Sequence, residues 1–315
     1  MNNSERFAQA VRVFPPALTH LFLGLTDSEK ESVREIRLRA EKPVVAVTES
    51  GCCFLHSSGR LTQIYSGHTV ALNSRELEEI FHRVCSCSVH TFKDAINRGF
   101  VTVEGGHRAG VGGTAVTENG RVVSVRDINC INLRIAREIR GAADEIYSRC
   151  FSSGVGGLIV AGPPSSGKTT VLRDLARQLS GVERGVLARV FVCDERGEIG
   201  AVHCGRVQND LGINCDLITS YPKSEGILIG LRSFSPDIII CDEIATEEEI
   251  LAIESGLRTG VDFALSIHAG SETELRSKPT VRRLVESGCF ANAVLLSGKE
   301  VGKVEKYFSA GDLIG

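Results

Sequence analysis

From residue 158 onward, short unbroken apolar runs alternate with segments whose apolar positions recur every three or four residues. The runs at 158–161, 189–193, 237–241 and 262–267 have strand length. Between them Val171, Leu172, Leu175, Ala176 and Leu179 form one helical stripe over 168–179, and further helices are expected near 223–233 and over 247–257. Apolar strands separated by helical crossovers predict an α/β unit with a mostly parallel sheet covered on both faces. In such a unit a ligand binds at the carboxyl ends of the strands.

The first half has another rhythm. Phe7, Val11 and Phe14 make an amphipathic start before Pro15-Pro16, and half-exposed strands are expected at 35–39 and 43–47. Leu77, Ile80, Phe81 and Val84 lie on one stripe behind a cap at Asn73 or Ser74, which predicts a helix. A short helix over 89–97 would end at Gly99. Val101 and Val103 alternate before a Gly105-Gly106 turn and a second strand. That stretch is either a plain hairpin or a place where another backbone or a ligand comes close, with His107 and Arg108 just past the turn. The two rhythms divide the 315 residues into a smaller α+β N-terminal domain, 1–150, and an α/β domain, 151–315.

Composition narrows the class. A hydrophobic fraction of 42% with 24% charged residues is that of an ordinary globular protein. A formal charge of −3 carries no chain-wide footprint for nucleic acid, so nucleic acid is not an expected partner. No apolar run approaches the ~18–20 residues that span a bilayer, and the N-terminus lacks a charged-then-apolar signal. The chain is therefore expected in the cytoplasm, reaching a membrane only through partners. Its eleven cysteines include no C-x-x-C pair and read as reduced thiols.

The chemistry is concentrated in Gly162-Pro163-Pro164-Ser165-Ser166-Gly167-Lys168-Thr169, which meets the phosphate-loop pattern G-x-x-x-x-G-K-[ST] at every specified position and sits between a strand and a helix. Such a loop, with Thr170 following, points backbone N–H groups at a phosphate at the positive end of a helix. Lys168 would reach the β- and γ-phosphates of ATP, and Thr169 would hold Mg²⁺. The strand at 237–241 ends in Asp242-Glu243, the second half of an ATPase site: Asp242 for the Mg²⁺ shell, Glu243 to activate the attacking water. Two further strand ends fall on the same edge, at Asp194-Glu195-Arg196 and at His268. Glu195 and His268 are candidates for holding the water or sensing the γ-phosphate, against plainer readings as caps and turn residues. Arg232 reads either as a helix C-terminal cation or as a phosphate-contacting arginine acting within the site or from a neighbouring subunit. Arg134 and Arg137 read either as salt-bridged surface or as phosphate reach.

Several segments together resemble the sporulation stage III protein AA family, ATPases of endospore-forming bacteria related to type II and type IV secretion ATPases. They are Gly99-Phe-Val-Thr-Val-Glu-Gly-Gly-His-Arg108, Asn132-Leu-Arg-Ile-Ala-Arg137-Glu, the phosphate loop continuing through Arg177, Cys193-Asp-Glu-Arg-Gly-Glu-Ile199, Gln208-Asn-Asp-Leu-Gly212, Pro222-Lys-Ser-Glu-Gly226, Arg232-Ser-Phe-Ser-Pro236 and Asp242-Glu-Ile244. The resemblance spans roughly residues 30–310. It implies a RecA-like P-loop domain, a homohexameric ring binding nucleotide between its N- and C-terminal domains, and docking at a membrane channel complex between mother cell and forespore. By similarity to secretion ATPases, Asp194-Glu195 looks like their acidic box and His268 like their histidine box. The family's loop usually has Gly-Cys where this chain has Ser165-Ser166. Secretion ATPases often have glycine where this chain has Asp242, which makes Glu243 an ordinary catalytic base and leaves Glu195 without a settled role. Arg108, Arg134 and Arg137 are expected donors from the N-terminal domain or a neighbouring subunit. Two other classes share these features: a RecA-type nucleic-acid motor, and an assembly switch that binds nucleotide with negligible turnover.

Overall fold

The computed structural model describes residues 3–86, 96, 99–137, 139–152, 154–182 and 187–314. Apart from the buried Ile96, the helix expected over 89–97 lies outside the described residues. The chain forms two compact units, Met1–Arg137 with Ala201–Gln208, and Glu138–Gly200 with Asn209–Gly315.

The first unit is built on an antiparallel sheet. Its strands are β1 (Val33–Arg39), β3 (Val45–Thr48), β4 (Gly51–His56), β5 (Arg60–Thr62), β7 (Phe100–Thr102), β8 (Arg108–Glu118) and β9 (Arg121–Arg134), in the order β5-β4-β3-β1-β9-β8-β7; β2 (Lys42–Pro43) and β6 (Ala71–Leu72) form a separate pair. Ile36 and Leu38 alternate with polar neighbours and are fully buried, so one face of β1 makes the core. Helix Ser74–Val84 lays Leu77, Ile80, Phe81 and Val84 on that core. Asn73 is its N-cap, in a reciprocal capping box with Glu76. Phe7, Phe14 and Phe22 from the N-terminal helices complete the cluster.

The turn at Gly105-Gly106 is closed by neighbours from within this unit. The Gly105 N–H donates to Gln208 Oε1 at 2.7 Å, and the main-chain oxygen of Thr102 lies 2.8 Å from His203 Nδ1. His107 is fully buried, and its Nδ1 accepts the Ala136 N–H at 2.9 Å. That makes it a bolt between the hairpin and the end of β9.

The second unit carries β10 (Leu158–Gly162), β11 (Val190–Asp194), β12 (Cys215–Thr219), β13 (Ile238–Cys241), β14 (Asp262–His268), β15 (Asn292–Leu296) and β16 (Val304–Ser309), in the order β12-β11-β13-β14-β10-β15-β16. All pairs are parallel except β15 with β16. Every residue of β10, β11 and β13 is buried because both faces are covered. Ile159, Ala161, Ile239 and Leu265 pack with helices Lys223–Ser233 and Glu247–Leu257. Leu158, Val160, Ile240 and Ala264 pack on the opposite side with helix Lys168–Leu179. The tail adds β15 and the half-exposed edge strand β16 to the sheet.

Helix Lys223–Ser233 approaches β11 closely because residue 230 is glycine. A Cβ there would lie 2.6 Å from Phe191 Cε1, and that ring is itself held against Phe234 at a centroid separation of 4.9 Å. Alanine gains about 0.5–1 kcal/mol of helix propensity over glycine, whereas overpacking a core costs about 1–3 kcal/mol. Gly230→Ala is expected to lower stability by about 1–2 kcal/mol in urea titrations, against the propensity trend. Burial, with the Arg6 charge second, pulls the His107 pKa from the ordinary 6.5 down to about 4. The folded state therefore binds fewer protons than the unfolded chain between those pH values, so stability is intact above pH 6.5 and is lost as pH falls through 4. Unfolding free energies at pH 7 and pH 4 are expected to differ by on the order of 3 kcal/mol more in the wild type than in His107→Gln.

Candidate functional site

The amino-acid pattern at 162–169 folds into a loop returning sharply from β10 into helix Lys168–Leu179. Gly167, at φ +93°, is the residue before the helix, and a Cβ on it would come within 2.5 Å of Gly302 N. Gly162 has no room for a Cβ beside Ser166 Oγ. Ser165 adopts φ +62° without being glycine, a conformation that costs about 1–2 kcal/mol in an L-residue. The loop is braced by the β15–β16 connection, whose Gly302 N–H donates to the Ser166 carbonyl at 2.7 Å. Among the described residues the buried Ser166 hydroxyl has no hydrogen-bond partner. Pro163 and Pro164 complete the bend.

Lys168 is 6% exposed and caps the loop's own backbone, its Nζ donating to the carbonyls of Gly162 and Pro163 at 2.9 Å each. Burial lowers its pKa, and the nearby Asp242 and Glu243 oppose that shift. The next residue, Thr169, donates its hydroxyl to Asp242 Oδ2 at 2.5 Å. Thr170 follows in the first turn of the helix. Asp242 stands at the end of β13, two strands from β10. From the intervening β14, the Ser266 hydroxyl donates to Asp242 Oδ1 and accepts the Glu243 N–H at 2.8 Å.

Glu243 lies at φ +48°. Its carboxylate is ion-paired with Arg196, and its carbonyl accepts a hydrogen bond from Lys223 Nζ at 2.7 Å. Asp194, at the end of β11, is buried and accepts three backbone N–H groups, those of Glu198, Ile199 and Gly200, at 2.8–3.0 Å. Burial raises its pKa in spite of those three donors, and Asp242 adds to the rise. Asp194 thus clasps its own loop, while Glu195 is half-exposed with an oxygen 3.7 Å from Lys223. His268 is in register with Gly162, beside the mouth of the phosphate loop, with Glu274 3.7 Å away.

Thr169, Lys168, Asp242, Glu243, Glu195 and His268 are therefore gathered on one edge of the sheet. Arg232 is not among them. It is exposed in the last turn of helix Lys223–Ser233, whose first residue is the one near Glu243. At 1.5 Å rise per residue, that puts it about 14 Å along the helix from Lys223. In the first unit, Arg134 pairs with Glu35 and Arg137 with Glu49 and the carbonyls of Glu31 and Val33, while Arg108 stacks over Phe100 at 4.8 Å.

Three participants were not singled out as site residues in the sequence. Ser266 leaves one trace, a single hydroxyl inside an otherwise apolar strand. Lys223 is a cation in the first turn of a helix, where the dipole disfavours it. Arg196 has no local signal beyond following the acidic pair.

The oxygens of Thr169 and Asp242 are hard donors that suit Mg²⁺, an ion usually held by one or two protein oxygens with phosphates and waters completing the shell. Among the described residues no three His, Cys, Asp or Glu side chains cluster as a metal cage, and every cysteine is a free thiol.

The fold is that of the solved ATPase DotB and the pilus retraction motor PilT. It resembles the ATPase DotB of Yersinia pseudotuberculosis, 16% identical, with a TM-score of 0.55 over 90% of this chain and 76% of that one. It also resembles the pilus retraction motor PilT with bound ADP, 14% identical, with a TM-score of 0.54 over 84% and 74% of the two chains. Fold and phosphate loop together define an α/β protein that carries a P-loop and shares the fold of DotB and PilT.

The family described as Sporulation stage III, protein AA matches residues 5–311. Stage III sporulation protein AA of Bacillus subtilis (strain 168) is 30% identical over 302 residues, 95% of this chain and 94% of that protein. The chain belongs to the sporulation stage III protein AA family. A shorter likeness, 29% over 171 residues, links 52% of it to 23% of SEEDLING PLASTID DEVELOPMENT 1 of Arabidopsis thaliana.

Second-sphere hydrogen bonds to a metal-binding carboxylate typically carry about 10- to 100-fold in metal affinity. Ser266→Ala is accordingly expected to raise the Mg²⁺ concentration needed for half-maximal binding of a fluorescent ADP by about tenfold. An unchanged titration would reduce Ser266 to a strand filler.

Proposed function

We propose that the protein is a Mg²⁺-dependent ATPase with a RecA-like core, acting as a subunit of a homohexameric ring that powers a channel or transport complex between mother cell and forespore. One observation carries the hydrolytic part: Thr169 of the phosphate loop and Asp242 of β13 meet at 2.5 Å, with Lys168 and Glu243 on either side. Family membership and the fold of DotB and PilT support the motor part.

The loop's N–H groups and Lys168 would take the β- and γ-phosphates, the ammonium exchanging the two loop carbonyls for phosphate oxygens. Mg²⁺ held by Thr169, with Asp242 behind it, would neutralise charge on those oxygens. Glu243 would accept a proton from the water whose oxygen attacks the γ-phosphorus. The bond to the β–γ bridging oxygen breaks, and ADP leaves with the electron pair. For Glu243 to act, its carboxylate must leave Arg196. His268 and Glu195, at the ends of β14 and β11, would orient the water or report the γ-phosphate.

The N-terminal domain serves in this reading as ring interface and nucleotide lid. Arg232, exposed on its own subunit, is better placed to serve a neighbour's nucleotide, whereas Arg134 and Arg137 would have to give up carboxylate partners to do so. Among the described residues no helix is long and apolar enough to cross a membrane, so the subunit would associate with the cytoplasmic face of a membrane through channel proteins.

The test is steady-state ATP hydrolysis against protein concentration, with molar mass followed by light scattering. Specific activity is expected to rise with assembly and to fall by about 10²- to 10⁴-fold in Glu243→Gln, which still binds ATP, while Lys168→Ala loses binding. Turnover that does not change in Glu243→Gln would remove the catalytic base. Nucleotide-driven assembly without turnover would make the protein a switch.

A further inference from the structure

Lys223 is a buried lysine in a place that ordinarily repels one. It is 6% exposed and is the first residue of helix Lys223–Ser233, where the helix dipole presents its positive end. Three groups offset that cost. Its Nζ donates to the Glu243 carbonyl at 2.7 Å, lies 3.4 Å from Glu249 Oε1, and lies 3.7 Å from Glu195 Oε2. Glu249 is 8% exposed and its other oxygen accepts the N–H groups of Ala245 and Thr246, so it is tied to the turn that follows Glu243.

Glu243 is held at φ +48°, a region that costs an L-residue about 1–2 kcal/mol and persists only where surroundings enforce it. Its N–H is taken by Ser266 and its carbonyl by Lys223. The two bonds grip the backbone of the residue from both sides. That side chain, 42% exposed, sits with Arg196 at the rim of a small cleft lined by Asp194, Glu195, Arg196, Lys223, Asp242 and Glu243.

We infer that Lys223 is a positioning residue for hydrolysis: by holding the Glu243 carbonyl it aims the carboxylate from a strained backbone toward the water beside the γ-phosphate. The inference rests on the proposed ATPase activity. The Lys223 ammonium is engaged with protein groups, the Glu243 carbonyl and the carboxylates of Glu249 and Glu195. Its loss is expected to act on turnover rather than on nucleotide binding, because the grip on the nucleotide is made by Lys168, Thr169 and the loop.

The experiment uses the full chain and compares Lys223→Met, Lys223→Arg and the same methionine change in Glu243→Gln, each for kcat, KM for ATP, and affinity for a fluorescent ATP analogue. A misplaced catalytic group commonly costs about 10- to 100-fold in rate. Lys223→Met is expected to lower kcat by about that factor with nucleotide affinity unchanged, and Lys223→Arg, which keeps a charged donor, to recover most of it. In Glu243→Gln the methionine change should bring no further loss, since a positioning residue has nothing left to position.

Methionine leaves Glu249 buried without its cation, so Lys223→Met/Glu249→Gln, which removes both charges, carries the same test if the single variant does not fold. Wild-type turnover in Lys223→Met, a parallel loss of nucleotide affinity, or an additive loss on Glu243→Gln would each overturn the inference. A wild-type protein that binds ATP without hydrolysing it would instead overturn the ATPase reading, a result seen before any Lys223 variant is made.

Discussion

The hydrogen bond from Thr169 to Asp242 is the constraint on which the site depends. It joins the first turn of a helix to the end of a strand that is not the neighbour of β10, because β14 runs between them. Two such side chains meet only if β10, β14 and β13 are in parallel register and end on one edge, with helices packed on both faces to hold them there. The intervening strand does more than fill space. Ser266 reaches one oxygen of Asp242 and the N–H of Glu243, so the acidic pair is oriented from the same strand that ends in His268.

Around that bond the charges are arranged in opposition. Lys168 is occupied with its own loop carbonyls, Glu243 with Arg196, and Asp194 with three backbone N–H groups. Lys168 and Glu243 each have a partner that a phosphate or a water would have to replace, whereas Asp194 stays with its own loop. Strain is stored at the same place, in the positive φ of Ser165 and of Glu243. A loop glycine would remove the first; the flanking bonds from Ser266 and Lys223 hold the second.

The first unit puts its polar groups to a different use. His107 is buried as a neutral ring accepting a backbone N–H, and Arg134 and Arg137 are engaged with Glu35 and Glu49. The glycine-rich turn beside His107 is approached by Gln208, a residue distant in sequence. Residues that look like ligand donors in a linear reading here secure a hairpin and the end of a long strand.

Much of the second unit was legible in the chain itself, because its signals are local. A phosphate loop is defined by consecutive residues; Val171, Leu175 and Leu179 lie on one side of a helix by geometry alone; and a strand buried on both faces must be apolar throughout. The capping of Asn73 was readable for the same reason. Which side chains meet across strands was not readable, since that depends on strand order and register. Ser266 is 24 residues from Asp242. Lys223 precedes Glu243 by 20, and Gly302 bonds to Ser166 from a strand pair that the pattern left unassigned. Arg232 shows the reverse case, a residue adjacent in sequence to the acidic strand that the helix carries to its far end. Local periodicity and turn chemistry are properties of the sequence; the pairing of distant charges is decided only when the sheet closes.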